Sequence, residues 1–335
     1  VAELVRERCP NAWVINFTNP AGMITEAMQS VLGDRVIGIC DSPMGLVNRA
    51  LRALGAADAG AVRADNPGVG AIGAAVVDYA GLNHLGWLQG LHVDGTDRLP
   101  ELLADGASLS ATEEGQLFGV EWLRTLGAIP NEYLYYFYYT RDAIASITGG
   151  AATRGEFLLT QQGDFYRAAA AVPDEALSTW NHVHVERNST YMREARADDN
   201  GRDTADIAHG GYERVATSLM TAIASGAPAE LILNVANRAT LPGLPPDAVI
   251  EVPCRVDADG AHPLAVSALT GHPLGLVQQI KAVERLTISA AREGSERLAV
   301  EAFALHPLVD SVTTARLLLA EYRRRIPDLD AVFAR

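Results

Sequence analysis

Apolar and polar positions alternate in short blocks over the first 80 residues. The apolar runs at residues 12–17 and 36–39 predict buried strands, because each is short, rich in β-branched residues and bounded by turn residues. Each run is followed by apolar positions at helical spacing, over residues 23–32 and 44–54. Strands and helices in this order predict βαβ units, and therefore a parallel sheet in an α/β fold.

The pattern changes after residue 82 to longer stretches with helical spacing. These stretches predict helices over residues 113–126, 153–172, 205–225, 274–293 and 311–326, with a loop at 186–191. Short apolar runs at 231–235 and 249–256 predict two strands. A chain of 335 residues exceeds the usual size of a single core, so two domains are expected, with a boundary near residue 80. The second is predicted to be helix-rich α+β.

Composition narrows the class of protein. The net charge of -14 and the pI near 5.0 argue against nucleic acid and anionic membrane as partners. Three widely spaced cysteines do not suggest a disulfide framework, so a reducing, cytoplasmic location is predicted. No apolar run approaches the length of a membrane-spanning helix.

A glycine-rich segment, Gly68-Val69-Gly70-Ala71-Ile72-Gly73, matches the dinucleotide-binding fingerprint in spacing only. The fingerprint requires a strand before it and a helix after it. Here a polar loop precedes the glycines and a strand-like run at 74–79 follows them. We therefore interpret the segment as a lead-in to a strand.

Two side chains that can bind metal follow predicted strands. Cys40 comes after the run at 36–39, and His84 comes shortly after the run at 74–79. Strand ends in α/β proteins collect catalytic groups, because the rigid sheet aims a few side chains into a crevice. One thiolate and one imidazole would hold a divalent ion and leave positions open for substrate. The alternative is a buried core cysteine and an unrelated histidine.

The chain resembles glycoside hydrolase family 4, the NAD- and Mn²⁺-dependent glycosidases, and within it the 6-phospho-β-glucosidase branch most. The six matching regions, in the family's order, are Asn16-Phe17-Thr18-Asn19-Pro20-Ala21-Gly22, Gly38-Ile39-Cys40-Asp41-Ser42-Pro43, Gly81-Leu82-Asn83-His84-Leu85-Gly86-Trp87, Ile129-Pro130-Asn131-Glu132-Tyr133-Leu134-Tyr135-Tyr136, Asn234-Val235-Ala236-Asn237 with residues 244–253, and Leu305-His306-Pro307-Leu308. The resemblance implies that residues 1–80 are the remaining part of a Rossmann-like NAD-binding domain. It also implies a catalytic and oligomerisation domain at 81–335, of the lactate/malate dehydrogenase C-terminal type.

The resemblance implies roles for single residues. Cys40 and His84 would be the metal ligands, and Tyr133 the catalytic base. Asn19 would contact both the substrate hydroxyls and the nicotinamide, and Arg154 the substrate phosphate. Asn83 is placed in the substrate site, where it would orient the neighbouring histidine or merely form a turn.

The implied reaction is hydrolysis of 6-phospho-β-glucosides, such as cellobiose 6-phosphate, by oxidation, elimination, addition and reduction. Tyr133 is an unusual base, since free tyrosine has a pKa of about 10. A cation beside it, either the metal or Arg154, would lower that pKa. The expected partner is a phosphorylated disaccharide or glucoside, and the expected assembly is a homodimer or homotetramer.

Asp41 leaves the anomeric preference open. Members of the family that act on α-glucosides often carry an acid at this place, so a 6-phospho-α-glucosidase is an alternative. An aspartate here could protonate a leaving group. It could equally cap the helix that follows.

The chain begins at Val1, and the pattern there suggests a start in mid-fold. The family's dinucleotide loop lies upstream of the matching regions, so we expect this chain alone to bind NAD poorly. Two further alternatives are a 2-hydroxy-acid dehydrogenase-like enzyme and a truncated, non-catalytic paralogue. The first needs no metal, so a Mn²⁺ requirement separates it from a family 4 glycosidase.

Overall fold

The computed structural model describes residues 1–56, 75–150, 152–196 and 211–334. The glycine-rich segment at 68–73 lies outside these residues. The strands, numbered in chain order, are β1 (Val14–Asn16), β2 (Val36–Ile39), β3 (Val76–Leu82), β4 (Leu85–Val93), β5 (Thr96–Asp97), β6 (Ile129–Pro130), β7 (Ala229–Ala236), β8 (Val249–Asp257) and β9 (Gly260–Pro263).

The helices account for most of the remaining residues. They are α1 (Ala2–Arg8), α2 (Ala21–Leu32), α3 (Ser42–Ala53), α4 (Leu99–Ala104), α5 (Gly106–Ser110), α6 (Glu113–Phe118), α7 (Val120–Leu126), α8 (Tyr135–Tyr138), α9 (Thr140–Gly149), α10 (Arg154–Ala171), α11 (Ala176–Ser189), α12 (Tyr212–Ser225), α13 (Gly271–Glu293), α14 (Glu296–Leu305), α15 (Val312–Arg325) and α16 (Asp328–Phe333). In the described residues, none of these is both long and apolar enough to cross a lipid bilayer.

The α/β class and the first βαβ unit are confirmed. Strands β1 and β2 pair in parallel through α2, with Val14 opposite Val36. Among the described strands the sheet as a whole is mixed, because the parallel β1–β2 pair is joined to strands whose pairings are all antiparallel. The order is β1-β2-β7-β8-β3-β4-β5, with β6 on β4 and β9 on β8. Strands from both predicted domains therefore share one sheet, and the division near residue 80 stays a prediction.

One row of residues crosses this sheet from strand to strand. Asn16 lies opposite Gly38, which lies opposite Asn234, which lies opposite Glu251. Glu251 then faces Gly81, and Gly81 faces Gly86 of β4. We call these six residues the polar-glycine row. Three of its members lack a side chain, which leaves room for the polar side chains of their neighbours.

The glycines of the row are required by close contacts. A Cβ on Gly86 would lie 2.4 Å from the Tyr79 hydroxyl, and one on Gly38 would lie 2.8 Å from the Cβ of Asn234. Such distances are far below normal van der Waals contact, so a methyl group would displace either side chain. The row therefore depends on glycine for its packing.

Three elements differ from the sequence prediction. The helix predicted at 113–126 is broken at Gly119, whose φ of 74° is a left-handed value that glycine tolerates. Residues 186–189 form the end of α11, not a loop. Strand β4 was missed, because it is buried on both faces and so lacks the alternation of a half-buried strand.

The main core packs both faces of the sheet, and a smaller cluster of Ala290, Leu298, Ala299 and Leu319 lies between the C-terminal helices. Helix α11 contributes no buried residue. Its lack of an apolar stripe explains why the sequence of its last turn, residues 186–189, suggested a loop.

Candidate functional site

Cys40 directly follows β2 and is fully buried. Its Sγ lies 3.6 Å from the Ser42 hydroxyl and 3.8 Å from the Tyr212 hydroxyl. Burial, followed by the negative charges of Glu251 and Asp41, raises the pKa of the thiol to about 12. The thiol is therefore protonated at neutral pH, and a bound cation would have to displace its proton.

His84 lies in the two-residue turn between β3 and β4, since Leu82 pairs with Leu85. Its φ of 66° is left-handed, a conformation in which histidine is enriched among non-glycine residues. Burial lowers the pKa of the imidazole to about 4, so the ring is neutral at physiological pH. Neither ring nitrogen is hydrogen-bonded to a described residue. The ring is therefore in the form that binds metal ions.

The ring of Tyr133 stacks on His84, with centroids 4.0 Å apart and planes inclined by 25°. Burial, and then the charge of Glu132, raises the pKa of Tyr133 above its usual range. Cys40 and Asp41 act in the same direction, so both lie within electrostatic reach of the phenol. The structure thus brings Cys40, Asp41, His84 and Tyr133 to one end of the sheet.

Arg154 lies at the first position of α10, where its guanidinium contacts the end of α11. Its guanidinium donates to the Thr190 hydroxyl at 2.7 Å and to the Arg187 carbonyl oxygen at 2.8 Å. The main influences on the pKa of Tyr133 are burial, Glu132, Tyr191, Cys40 and Asp41. The expectation that Arg154 lowers the pKa of Tyr133 is therefore not supported. Its phosphate-binding role stays a prediction.

Asp41 immediately precedes α3, but its side chain makes no capping hydrogen bond to that helix. Its charge instead raises the pKa of Cys40, Tyr133, Tyr212 and Glu251. The capping alternative is therefore wrong. The carboxylate faces the same region as the other site residues.

Asn19 lies on the exposed loop between β1 and α2, close enough to Tyr212 to lower the pKa of its hydroxyl. Because Tyr212 also contacts Cys40, this loop borders the site. Asn83, on the turn beside His84, donates to Glu251 Oε1 at 3.1 Å. Asn83 thus fixes the turn that carries the histidine.

Glu251 is the residue that sequence reasoning missed. Its carboxylate is completely buried and accepts hydrogen bonds from Tyr79 at 3.1 Å, Asn83 at 3.1 Å and Asn234 at 2.9 Å. Three donors from three segments satisfy it, as a buried carboxylate requires. A glutamate inside the apolar run Val249–Asp257 was the available signal.

The donor set at this site fits a divalent cation. A cysteine sulfur and a neutral imidazole are common ligands of first-row divalent metals. Within the described ranges, no group of three or more His, Cys, Asp or Glu side chains is arranged to hold a metal ion. A cation bound by Cys40 and His84 would therefore keep open positions for oxygen ligands.

Glu251 makes the stability of the fold depend on pH. Burial raises the pKa of its carboxyl from 4.5 to about 7. Between these values the unfolded chain loses the proton while the folded protein keeps it, so the free energy of unfolding falls as pH rises. The contribution of Glu251 to the free energy of unfolding is fully present below pH 4.5 and is lost as the pH rises through about 7. The loss is on the order of 3 kcal/mol.

Glu251→Gln is expected to flatten this part of the stability curve. Urea unfolding at several values between pH 4.5 and 7.5 would measure the slope. Glu121→Gln is a matched control, because the Glu121 side chain is 89% exposed. An unchanged slope in Glu251→Gln would contradict the assignment of the raised pKa to this residue.

Comparison with known proteins identifies the family of this chain. Residues 79–309 match the model of the family 4 glycosyl hydrolase C-terminal domain, and residues 1–56 match the model of family 4 glycosyl hydrolase. A probable 6-phospho-beta-glucosidase of Bacillus subtilis is 30% identical over 332 residues, covering 96% of this chain and 66% of its own length. A 6-phospho-alpha-glucosidase of Leptotrichia buccalis is 24% identical, covering 95% of this chain and 68% of its own.

The fold is shared with a solved structure. A 6-phospho-beta glucosidase from Thermotoga maritima, determined with manganese, NAD+ and glucose-6-phosphate, superposes with a TM-score of 0.72 at 22% identity. The match covers 98% of this chain and 68% of that one. The chain spans just under two thirds of the Bacillus relative. Since the C-terminal family model alone covers more than half of the residues, the chain belongs to glycosyl hydrolase family 4.

Proposed function

We propose that this protein hydrolyses 6-phospho-β-glucosides in a reaction that uses NAD⁺ and a divalent metal. The observation that carries the proposal is the stacking of Tyr133 on His84 at 4.0 Å, beside the buried thiol of Cys40. A metal-capable pair next to a phenol suits proton abstraction from a carbon beside a carbonyl group. The Bacillus and Thermotoga relatives named above support the substrate class.

Cys40 and His84 would hold the cation, which when bound would polarise the oxygens on C2 and C3 of the sugar. NAD⁺, when bound, would supply the hydride-transfer chemistry at C3. Asn19 would contact the sugar hydroxyls from its exposed loop, and Asn83 would keep the histidine turn in place through Glu251. Arg154 remains the proposed ligand of the substrate phosphate.

Tyr133 would remove the C2 proton after C3 is oxidised to a ketone. The electron pair of the C–H bond then forms a C1–C2 double bond, and the aglycone leaves C1 with the glycosidic electron pair. Water adds to C1, C2 recovers a proton, and the ketone is reduced to the original hydroxyl. A positive charge near His84 would oppose the raised pKa of the stacked Tyr133.

Hydrolysis of 6-phospho-α-glucosides is the second candidate function, and the position of the Asp41 carboxylate supports it. Its carboxylate does not cap α3 and acts on the pKa of the site residues instead. An acid in this position could donate a proton to a leaving group on the opposite face of the sugar. The Leptotrichia relative is named for that anomer.

The test compares p-nitrophenyl 6-phospho-β-glucoside with its α-anomer, with and without NAD⁺ and Mn²⁺. The proposal predicts release of nitrophenol from the β-anomer that is lost on dialysis against EDTA and restored by Mn²⁺. Release from the α-anomer alone would favour the second candidate. Oxidation of 2-hydroxy acids without metal would favour a dehydrogenase, and inactivity in every assay would favour a non-catalytic protein.

A further inference from the structure

The phenol of Tyr133 is held from two sides. One face of its ring stacks on His84, and its hydroxyl is hydrogen-bonded to the hydroxyl of Tyr191. The two tyrosine rings are nearly perpendicular, with centroids 6.3 Å apart and an interplanar angle of 85°. The stack on His84 orients the plane of the ring, and the hydroxyl contact holds the far end of the side chain.

Tyr191 is itself held by a buried carboxylate. Its hydroxyl donates to Glu132 Oε1 at 3.0 Å, and Glu132 is only 5% exposed. Arg49 of α3 approaches the other oxygen, Glu132 Oε2, at 3.4 Å. Arg49 also forms a bidentate contact with Glu114, so its own position is fixed. The carboxylate that orients Tyr191 is therefore fixed by the protein core.

The main chain before Tyr191 is anchored as well. Arg154 donates to the Arg187 and Thr190 carbonyl oxygens at 2.8 and 3.3 Å, and to the Thr190 hydroxyl at 2.7 Å. These contacts close the C-terminal end of α11, where carbonyl groups lack partners within the helix. Tyr191 thus follows directly on a clamped helix end. The arginine at the start of α10 contributes to its placement.

We infer that Tyr191 is a positioning residue: its hydroxyl, held by Glu132, fixes the place of the Tyr133 phenolic oxygen, which when ionised takes the C2 proton of the sugar. The inference rests on the proposed function and adds a residue to it. A base must be held within hydrogen-bond reach of the proton it takes, and a displacement of about 1 Å costs about a hundredfold in rate. Removal of the Tyr191 hydroxyl would leave the His84 stack in place, so a smaller loss of rate is expected.

Tyr191→Phe keeps the ring and removes only the hydroxyl. We expect kcat on the active 6-phosphoglucoside to fall about tenfold, while KM changes by less than about twofold. The isotope effect from deuterium at C2 should increase, because proton abstraction then limits the rate more strongly. A general structural defect would not raise the isotope effect at this one carbon.

Two further variants sharpen the kinetic test. Tyr139→Phe is the matched control: it removes a hydroxyl that donates to the Phe118 carbonyl oxygen at 2.7 Å, in the same aromatic segment. Tyr139→Phe should retain wild-type kcat and isotope effect. The double variant Glu132→Gln/Tyr191→Phe should lower kcat little more than the more severe of the two single substitutions, because the two residues act through one contact.

NMR spectroscopy tests the positioning role of Tyr191 in the absence of turnover. In protein labelled with ¹³C-tyrosine, ring flips of Tyr133 should be faster in Tyr191→Phe than in wild type, and unchanged in Tyr139→Phe. Equal flip rates together with an unchanged Cζ shift would overturn the positioning role. If the wild type hydrolyses neither anomer, the proposed function fails, and the ring-flip rate still shows whether Tyr191 fixes Tyr133.

Discussion

Replacement of Cys40 with serine is expected to remove the metal site and with it the glycosidase activity. A serine hydroxyl keeps the size of the side chain but does not supply a thiolate at neutral pH. Loss of an outer-shell partner already costs about 10–100-fold in metal affinity, so loss of a ligand should cost more than about a hundredfold. Calorimetric titration with Mn²⁺ would measure the affinity, and turnover at saturating Mn²⁺ would measure the activity.

Cys9→Ser provides the control for this result. Cys9 is exposed and remote from the site in the chain, so its replacement should leave Mn²⁺ affinity and turnover unchanged. Retention of wild-type Mn²⁺ affinity by Cys40→Ser would show that Cys40 is not a ligand. The metal-dependent mechanism would then need a different donor set.

Replacement of Tyr133 with phenylalanine is expected to lower kcat by about 10²–10⁴-fold, the usual contribution of a general base. Phenylalanine retains a ring that can stack on His84, so Mn²⁺ affinity should change by less than about twofold. Oxidation at C3 does not use the phenol. With NAD⁺ in excess, reduced nicotinamide should therefore accumulate after substrate is added, and its absorbance would reveal the blocked step.

Tyr139→Phe is the control for Tyr133→Phe. The control removes a hydroxyl from the same aromatic segment and should turn over at the wild-type rate without accumulating reduced nicotinamide. Activity of Tyr133→Phe within about threefold of wild type would contradict its assignment as the base. Loss of Mn²⁺ binding in the same variant would point instead to disruption of His84.

The parts of the site that the sequence predicted are those encoded locally. Cys40 follows an apolar run that forms β2 at the predicted residues, and the neighbouring helix begins within two residues of its predicted start. His84 was placed after a strand by the same reasoning. Local patterns suffice here because strand ends and turns are specified by adjacent residues.

Glu251 and Tyr191 could not be assigned in this way, because their roles depend on distant partners. Glu251 and Tyr79 are hydrogen-bonded across 172 positions of the chain, and that contact exists only in one register of β8 against its neighbours. Tyr191 lies 58 positions from Tyr133 and follows a helix without an apolar stripe. Periodicity carries no information about either pairing.

The polar-glycine row limits how this site could be altered or transplanted. A slip of one residue in β8 would turn Glu251 to the opposite face of the sheet and present an apolar neighbour in its place. Grafting the carboxylate into another protein would require importing Gly38, Gly81 and Gly86 together with it, since a methyl group on these positions collides with surrounding atoms. Directed evolution that samples one substitution at a time should therefore leave this row intact and change the loops around it.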